Sequence, residues 1–420
     1  MILDRIYRKL ERPLQCALVA AVVVGLAARD VLGTKDDPTT AEIFEAGRSD
    51  PRLLDEVEYV PLFPFFSTSA TGAPFDEPTG VYVGFDQFLY VTDRQGLHVL
   101  ESSGRPATFV PIEGGATSVI QDRLLNLYVT ARRDTVIGAR TWNLPVVLKL
   151  ADVSLGNPHI ADIIWHPFDD DTRLRRDPEA ADEQVAFTSV AVLSTNSIYV
   201  ARQGPNNSTS SVLSPHNAVL EFNTDGVNVL RLPLHPTLPS LRSAVRPSAI
   251  ATAVQPPQRE SFPANKDFIV AQAPDDGSTL QFAVLSVVSV ETPDGIIFRP
   301  DTQKLQVASL PDRGDGFLYD TFRFSQPSGL TIAGDATGYL FVTDAAKDSL
   351  YIFTSNGVEG VAPPPGSGSQ VPVVVSFGGS GDGAREFNQP RAVAYANQIV
   401  YVADSGNNRI SRFRLNTDFE

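Results

Sequence analysis

Short apolar runs, bounded by clusters of Gly, Pro, Asn and Asp, recur along the chain from about residue 75 onward. The stretch Phe387 to Phe413 shows the pattern most fully. Gln389-Pro390 opens it, Ala392-Val393-Ala394 follows, and an Asn-containing turn leads into Ile399-Val400-Tyr401-Val402-Ala403, ending at Asp404. Ser405-Gly406-Asn407-Asn408 turns the chain, and Arg409-Ile410-Ser411-Arg412-Phe413 alternates as a half-buried strand does. The predicted elements are short strands joined by turns.

The central run repeats. An aromatic or apolar residue, then valine, then Thr or Ala occurs at Tyr90-Val91-Thr92, Tyr128-Val129-Thr130, Tyr199-Val200-Ala201, Ile269-Val270-Ala271, Phe341-Val342-Thr343 and Tyr401-Val402-Ala403. The copies are spaced by 38, 71, 70, 72 and 60 residues. Pro-containing openers precede four of them: Glu77-Pro78-Thr79-Gly80, Arg246-Pro247-Ser248-Ala249, Gln326-Pro327-Ser328-Gly329 and Gln389-Pro390-Arg391-Ala392. Further strands are predicted after the central runs, at Leu97–Leu100, Val146–Leu150, Val219–Phe222, Phe282–Leu285 and Leu350–Phe353. Periods of this size with several strands per repeat predict an all-β, six-bladed β-propeller of four-stranded antiparallel blades. An open array would leave bare sheet edges, so the ring is expected to close. The residues after Phe413 are too few for a fourth strand. The alternating stretch Glu56 to Leu62, which has no adjacent hairpin partner, is expected to supply it.

Before the repeats the pattern changes. Residues 1–13 carry Arg5, Arg8, Lys9 and Arg12, and Leu14 to Ala28 contain no charge. Basic residues before an apolar run orient it with the N-terminus in the cytoplasm. A cleaved signal peptide has this layout, with small residues at Leu26-Ala27-Ala28. A retained signal anchor is the other reading and the one expected here. Its apolar face would include Leu14, Val22, Val24 and Leu26, with Pro13 in the first turn. Fifteen helical residues span only about 22 Å against a core of about 30 Å. Extension to Leu32 with Arg29 snorkelling narrows that gap. Cys16 reads as a small apolar residue of the run, with acylation as the alternative. The expected organisation is a membrane helix or signal over 1–32, a linker over 33–55 and the propeller over 56–420.

Composition narrows the partners. The formal net charge is −15, which excludes a phosphate-reading basic face and hence nucleic acid. The single cysteine excludes an intramolecular disulfide. Apolar content of 42 % is enough for a core.

The stretches at 387–413 and 322–353 resemble NHL repeats, the propeller repeat with a Pro-x-Gly opener, a Leu-Tyr-Val-Ala-Asp strand and Asn-x-Arg-Ile after it. Asn408-Arg409-Ile410 matches that ending, whereas Ser349-Leu350 replaces it in the earlier copy. The copy at 77–100 matches weakly, and the three middle copies carry long insertions. The resemblance implies a structural role for Asp93, Asp344 and Asp404, satisfying backbone N–H groups of the following turn. Peptide-amidating lyases of this kind use zinc histidines, but His98, His159, His166, His216 and His235 show no ligand spacing. Six-bladed lactonases bind an axial divalent ion through Glu, Asn and Asp from separate blades. Such scattered ligands leave no local motif. No cofactor motif is present.

The insertions carry the remaining signal. Residues 152–184 contain Trp165 and Phe168, a run Asp169-Asp170-Asp171, then Arg173, Arg175 and Arg176. The triple Asp lacks the glycine and closing Glu of an EF-hand. The segment is either a solvated loop or a docking segment, with Trp165 and Phe168 as anchors and the arginines as a polar rim. The expected function is that of a non-catalytic, membrane-anchored extracytoplasmic propeller, packed as an accessory subunit on other proteins of a respiratory or photosynthetic type of complex. The alternative is a secreted or periplasmic lactonase or sugar-processing enzyme with an axial divalent metal.

Overall fold

The computed structural model describes residues 57–168, 175–207, 216–232, 245–254, 256–258, 265–273, 280–304 and 316–419. The proposed membrane helix, with Leu14, Cys16, Val22, Val24 and Leu26, lies outside them. Among the described residues no helix is long and apolar enough to cross a membrane.

Among the described residues, twenty-four strands form six four-stranded antiparallel sheets. Blade 1 is β2 (Gly80–Val83), β3 (Leu89–Thr92), β4 (Gly96–Leu100) and β5 (Pro106–Pro111). Blade 2 is β6 (Ala116–Gln121), β7 (Leu127–Ile137), β8 (Arg140–Ala151) and β9 (His159–Trp165). Blade 3 is β10 (Ala186–Val192), β11 (Ile198–Gln203), β12 (Ala218–Phe222) and β13 (Asn228–Leu232). Blade 4 is β14 (Pro247–Ala251), β15 (Phe268–Gln272), β16 (Val284–Thr292) and β17 (Gly295–Pro300). Blade 5 is β18 (Pro327–Ile332), β19 (Leu340–Asp344), β20 (Ser349–Phe353) and β21 (Phe377–Gly378). In blade 6, β22 (Pro390–Ala396), β23 (Ile399–Asp404) and β24 (Arg409–Leu415) are followed in space by β1 (Tyr59–Pro61). The first strand of each blade packs beside that of the next, and β22 packs on β2, so the ring is closed.

The recurrent apolar triplet is the second strand of every blade, and the packing explains its form. Each second strand is buried on both faces. The aromatic position faces the next blade: Tyr199 joins Phe268 and Ile250, and Tyr401 joins Val81 and Val91. The valine after it faces the previous blade: Val200 joins Tyr128 and Ile164, and Val402 joins Phe341 and Ile352. Six apolar clusters result, one at each blade–blade junction. A strand buried on both sides needs a continuous apolar run, which is why these six stretches stand out from the alternating strands beside them. The third strand of blade 4 starts at Val284 rather than Phe282.

Closure depends on residues far apart in sequence. Tyr59 pairs with Leu415, Val60 with Arg414 and Pro61 with Phe413. Beyond the strand, Leu62 N donates to Arg412 O at 2.8 Å, and Phe66 and Ile410 exchange backbone bonds at 3.0 and 2.7 Å. Tyr59 is 2 % exposed, inside the cluster between blades 5 and 6. Pro61 lies on the outermost strand, the position where a missing N–H costs no ladder bond.

Candidate functional site

The six first strands surround a central channel of about 540 Å3. Five of them begin with a β-bulge, whose extra residue is Thr117, Thr188, Ser248, Ser328 or Arg391. Thr79 holds the same place at the start of blade 1. Four of these hydroxyls donate to the next blade: Thr79 Oγ1 to Ala116 O at 2.8 Å, Thr188 Oγ1 to Pro247 O at 2.7 Å, Ser248 Oγ to Pro327 O at 2.6 Å and Ser328 Oγ to Pro390 O at 2.5 Å. Such a bond is worth about 1 kcal/mol, and the set links neighbouring blades around one mouth. Gly329, after the bulge, fits for a steric reason. A Cβ there would come within 2.7 Å of Ala392 Cα in the next blade.

Arg391 breaks the series. It occupies the hydroxyl position of blade 6 and is exposed at that mouth. The junction of blades 6 and 1 is held instead by Asn408 Oδ1, which accepts from Glu77 N at 2.8 Å, and by Asn397 Nδ2 donating to Gln87 Oε1 at 2.7 Å. At the opposite mouth stands Asp335, which accepts from Tyr395 Oη at 2.7 Å and Thr337 N at 2.9 Å. Among the described lining residues it is the one carboxylate, and Arg391 is the one cation. The signal for Arg391 was in the openers, where Pro-Thr, Pro-Ser and Pro-Ser become Pro-Arg. Sequence spacing alone does not say that this position faces a channel.

The three turn aspartates are fully buried at the ends of second strands or just beyond them. Asp93 Oδ1 accepts from Gln95 N at 2.8 Å and Gly96 N at 3.2 Å, and Oδ2 from Asp76 N at 3.0 Å. Burial pushes its carboxyl up, but His98, with Nε2 2.9 Å from Oδ1, and the backbone donors outweigh burial and hold it below the usual range. Asp344 accepts from Ser325 N, Gln326 N, Ala346 N and Lys347 N at 2.7 to 3.2 Å. Asp404 accepts from Asn388 N at 2.8 Å, Asn407 Nδ2 at 2.9 Å and Arg409 Nε at 2.7 Å. Burial raises Asp404 above the usual carboxylate range despite these donors. All three act within their own blade, and none lines the channel.

The segment after β9 is ordered by a buried cluster. His166 Nε2 lies 3.0 Å from Asp182 Oδ1, and Arg175 bridges both oxygens of Asp182 at 2.7 and 3.0 Å. Burial pushes His166 down to about 4, so it is the neutral imidazole and donates through Nε2. Burial also pushes Asp182 up, but the bonds from His166 and Arg175 prevail and leave it at about 2. His166, Asp182 and His216 bring three potential ligand atoms within 4.8 Å. The donor set does not fit a cation, because Arg175 already neutralises the carboxylate and the Arg202 charge also acts against a proton on His166.

This geometry corrects the reading of 152–184. Arg175 is no rim residue: its side chain is 5 % exposed and committed to Asp182. Trp165, in β9, is half-buried against the cluster between blades 1 and 2. Phe168 is half-buried and edge-on to His166 at 6.2 Å. Arg176 is exposed, and Arg173 lies outside the described residues.

A feature with no signature in the repeats projects nearby. β7 and β8 have 11 and 12 residues, against four in β3 and six in β23. Their outer halves, from Arg132 to Asn143, extend past the blade and are braced by residues 183–185. Arg132 donates to Val185 O at 2.6 Å and Glu183 O at 2.8 Å, Arg140 pairs with Glu183, and the Arg140 guanidinium lies 3.8 Å from the Trp142 ring centre. Strand direction places this tip on the same face of the ring as the openers and Arg391. Each first strand starts on that face, and each second strand ends there.

Residues 387–413 match the NHL repeat family model. No curated protein matches the chain in sequence. Among solved structures, a structural-genomics protein of unknown function from Bacteroides thetaiotaomicron VPI-5482 shares 14 % identity over 86 % of this chain and 76 % of its own, with a TM-score of 0.48. A gluconolactonase from Xanthomonas campestris shares 13 % identity over 86 % and 97 %, with a TM-score of 0.44. A streptogramin B lyase shares 11 % identity over 86 % and 97 %, with a TM-score of 0.39. None of these likenesses transfers an activity. The chain is a six-bladed β-propeller whose last blade carries an NHL repeat over residues 387–413.

Proposed function

We propose that the chain is a non-catalytic interaction propeller, held on the extracytoplasmic side of the cytoplasmic membrane by its N-terminal segment and packed on other protein subunits. The observation that carries this reading is the braced β7–β8 extension. Its outer positions contribute little to the propeller core, and Val136 near the tip is 70 % exposed. A two-stranded ribbon is marginal in water without support. Here Arg132, Arg140 and Glu183 hold it in one geometry, which suits docking because little ordering entropy remains to be lost on binding.

Two experiments test the reading. Detergent extraction of the native protein, followed by mass spectrometry of co-migrating chains, is expected to return stoichiometric partners and an intact N-terminal peptide. Replacing residues 134–141 by Gly-Gly is expected to remove those partners while leaving the melting temperature unchanged. A monomer with a processed N-terminus and no partner would overturn the proposal. The lactonase-type alternative calls for oxygen ligands from several blades on the axis, whereas the described lining has Asp335 as its carboxylate. A stoichiometric axial ion in the purified protein would decide for it.

A further inference from the structure

We propose that the channel mouth on the opener side binds a small organic anion, a carboxylate or a phosphate ester, through Arg391. The argument starts from the ring of bulge residues. In blades 1, 3, 4 and 5 that position holds a hydroxyl bonded to the carbonyl before the next blade's bulge position. By the same geometry a serine at 391 would face Pro78 O. Arg391 gives up that link and places a guanidinium at the mouth instead. A local rule broken without a structural gain marks a candidate for function.

The guanidinium is poorly satisfied. Its hydrogen bond within the fold is to Gln389 Oε1 at 3.3 Å, and no carboxylate among the described residues lies within ion-pair distance. Among the described lining residues Arg391 is the one cation, and a charge set at the entrance of a cavity with low-dielectric walls has its field focused there. The arginine fork matches carboxylate and phosphate oxygens bidentately. Thr79, Thr117 and Ser328 line the same mouth and supply hydroxyl oxygens for a polar ligand body. A volume of about 540 Å3 admits a small metabolite and excludes a folded chain. The inference goes beyond the interaction reading and does not depend on it.

The test uses the full chain in detergent. Inorganic phosphate, succinate and glycerol 3-phosphate are titrated calorimetrically at constant ionic strength, with glycerol as the neutral control. At least one anion is expected to saturate a single site, and glycerol is not. Arg391→Ser is expected to weaken binding at least tenfold without lowering the melting temperature, because it restores the hydroxyl carried by the other blades. Phenylglyoxal is expected to modify Arg391, located by peptide mass spectrometry, and the bound anion to protect it. Three outcomes overturn the proposal: no anion binds, Arg391→Ser binds as well as the native protein, or Arg391→Ser melts several degrees lower, which would make Arg391 structural. Partner loss in the co-purification experiment leaves these readouts unmoved, so the two proposals fail separately.

Discussion

Replacing Tyr59 with alanine strikes the ring at its seam. Tyr59 is 2 % exposed, sits opposite Leu415 and meets Phe341 edge-on at 6.2 Å. Truncating a buried aromatic to alanine costs about 3–5 kcal/mol, through lost transfer energy and the cavity left behind. The propeller unit runs from Glu56 to Glu420, and its unfolding entropy at about 2.1 cal/mol/K per residue is about 0.8 kcal/mol/K. The melting temperature should fall by about 4–7 °C. The matched control is Phe63→Ala, four residues on and 66 % exposed, expected within about 0.5 kcal/mol of the native protein. Scanning calorimetry on both variants reads the difference. If Tyr59→Ala melts within about 1 °C of the native protein, β1 does not hold the ring, and the argument from closure fails. A further sign of an opened seam is concentration-dependent association through the bared edge of β24.

Asp404→Ala removes the carboxylate that accepts from Asn388 N and Arg409 Nε, and leaves Asn407 Nδ2 only its bond to Gly381 O. It should destabilise by about 2–4 kcal/mol, with Asp404→Asn milder because it keeps an acceptor, and a denaturant melt that moves by less than the Asn variant does would refute the turn role. Acid should also weaken the fold through His166. Its folded pKa of about 4 lies below the ordinary histidine value of 6.5, so the unfolded chain binds more protons between these values. Stability from this group is complete above pH 6.5 and is lost as pH falls to about 4, by about 3 kcal/mol for a buried site. His166→Gln should flatten that limb of the stability curve, and an unchanged limb would assign it to other groups.

Much of the ring was legible because it is local. A second strand buried on both faces must be continuously apolar, so six such runs announce six blades. Asp93 and Asp344 accept from backbone N–H groups two and three residues on, as the motif leads one to expect, whereas Asp404 takes its backbone donor from Asn388, 16 residues upstream, and side-chain donors from Asn407 and Arg409. The blade insertions are another matter. Trp165 looks like a docking anchor and Arg175 like part of its polar rim, yet the fold turns the first against the core and buries the second with Asp182. Nothing along the chain announces that partner, because the charge pairing depends on where the segment after β9 folds back.

By itself, the sequence determined blade number, through six continuously apolar second strands, and the source of the last blade's fourth strand, through the unpaired alternation of Glu56 to Leu62, since both rest on burial patterns along short runs. Tertiary structure alone decided the register in which Tyr59–Pro61 pairs with β24, that Arg132 and Glu183 brace a projecting hairpin, and that Arg391 stands where its counterparts carry hydroxyls at a channel mouth. The physical reason is range. Propensity and alternation act between neighbours, whereas channel-facing and inter-blade positions exist only once six separate sheets have closed into a circle.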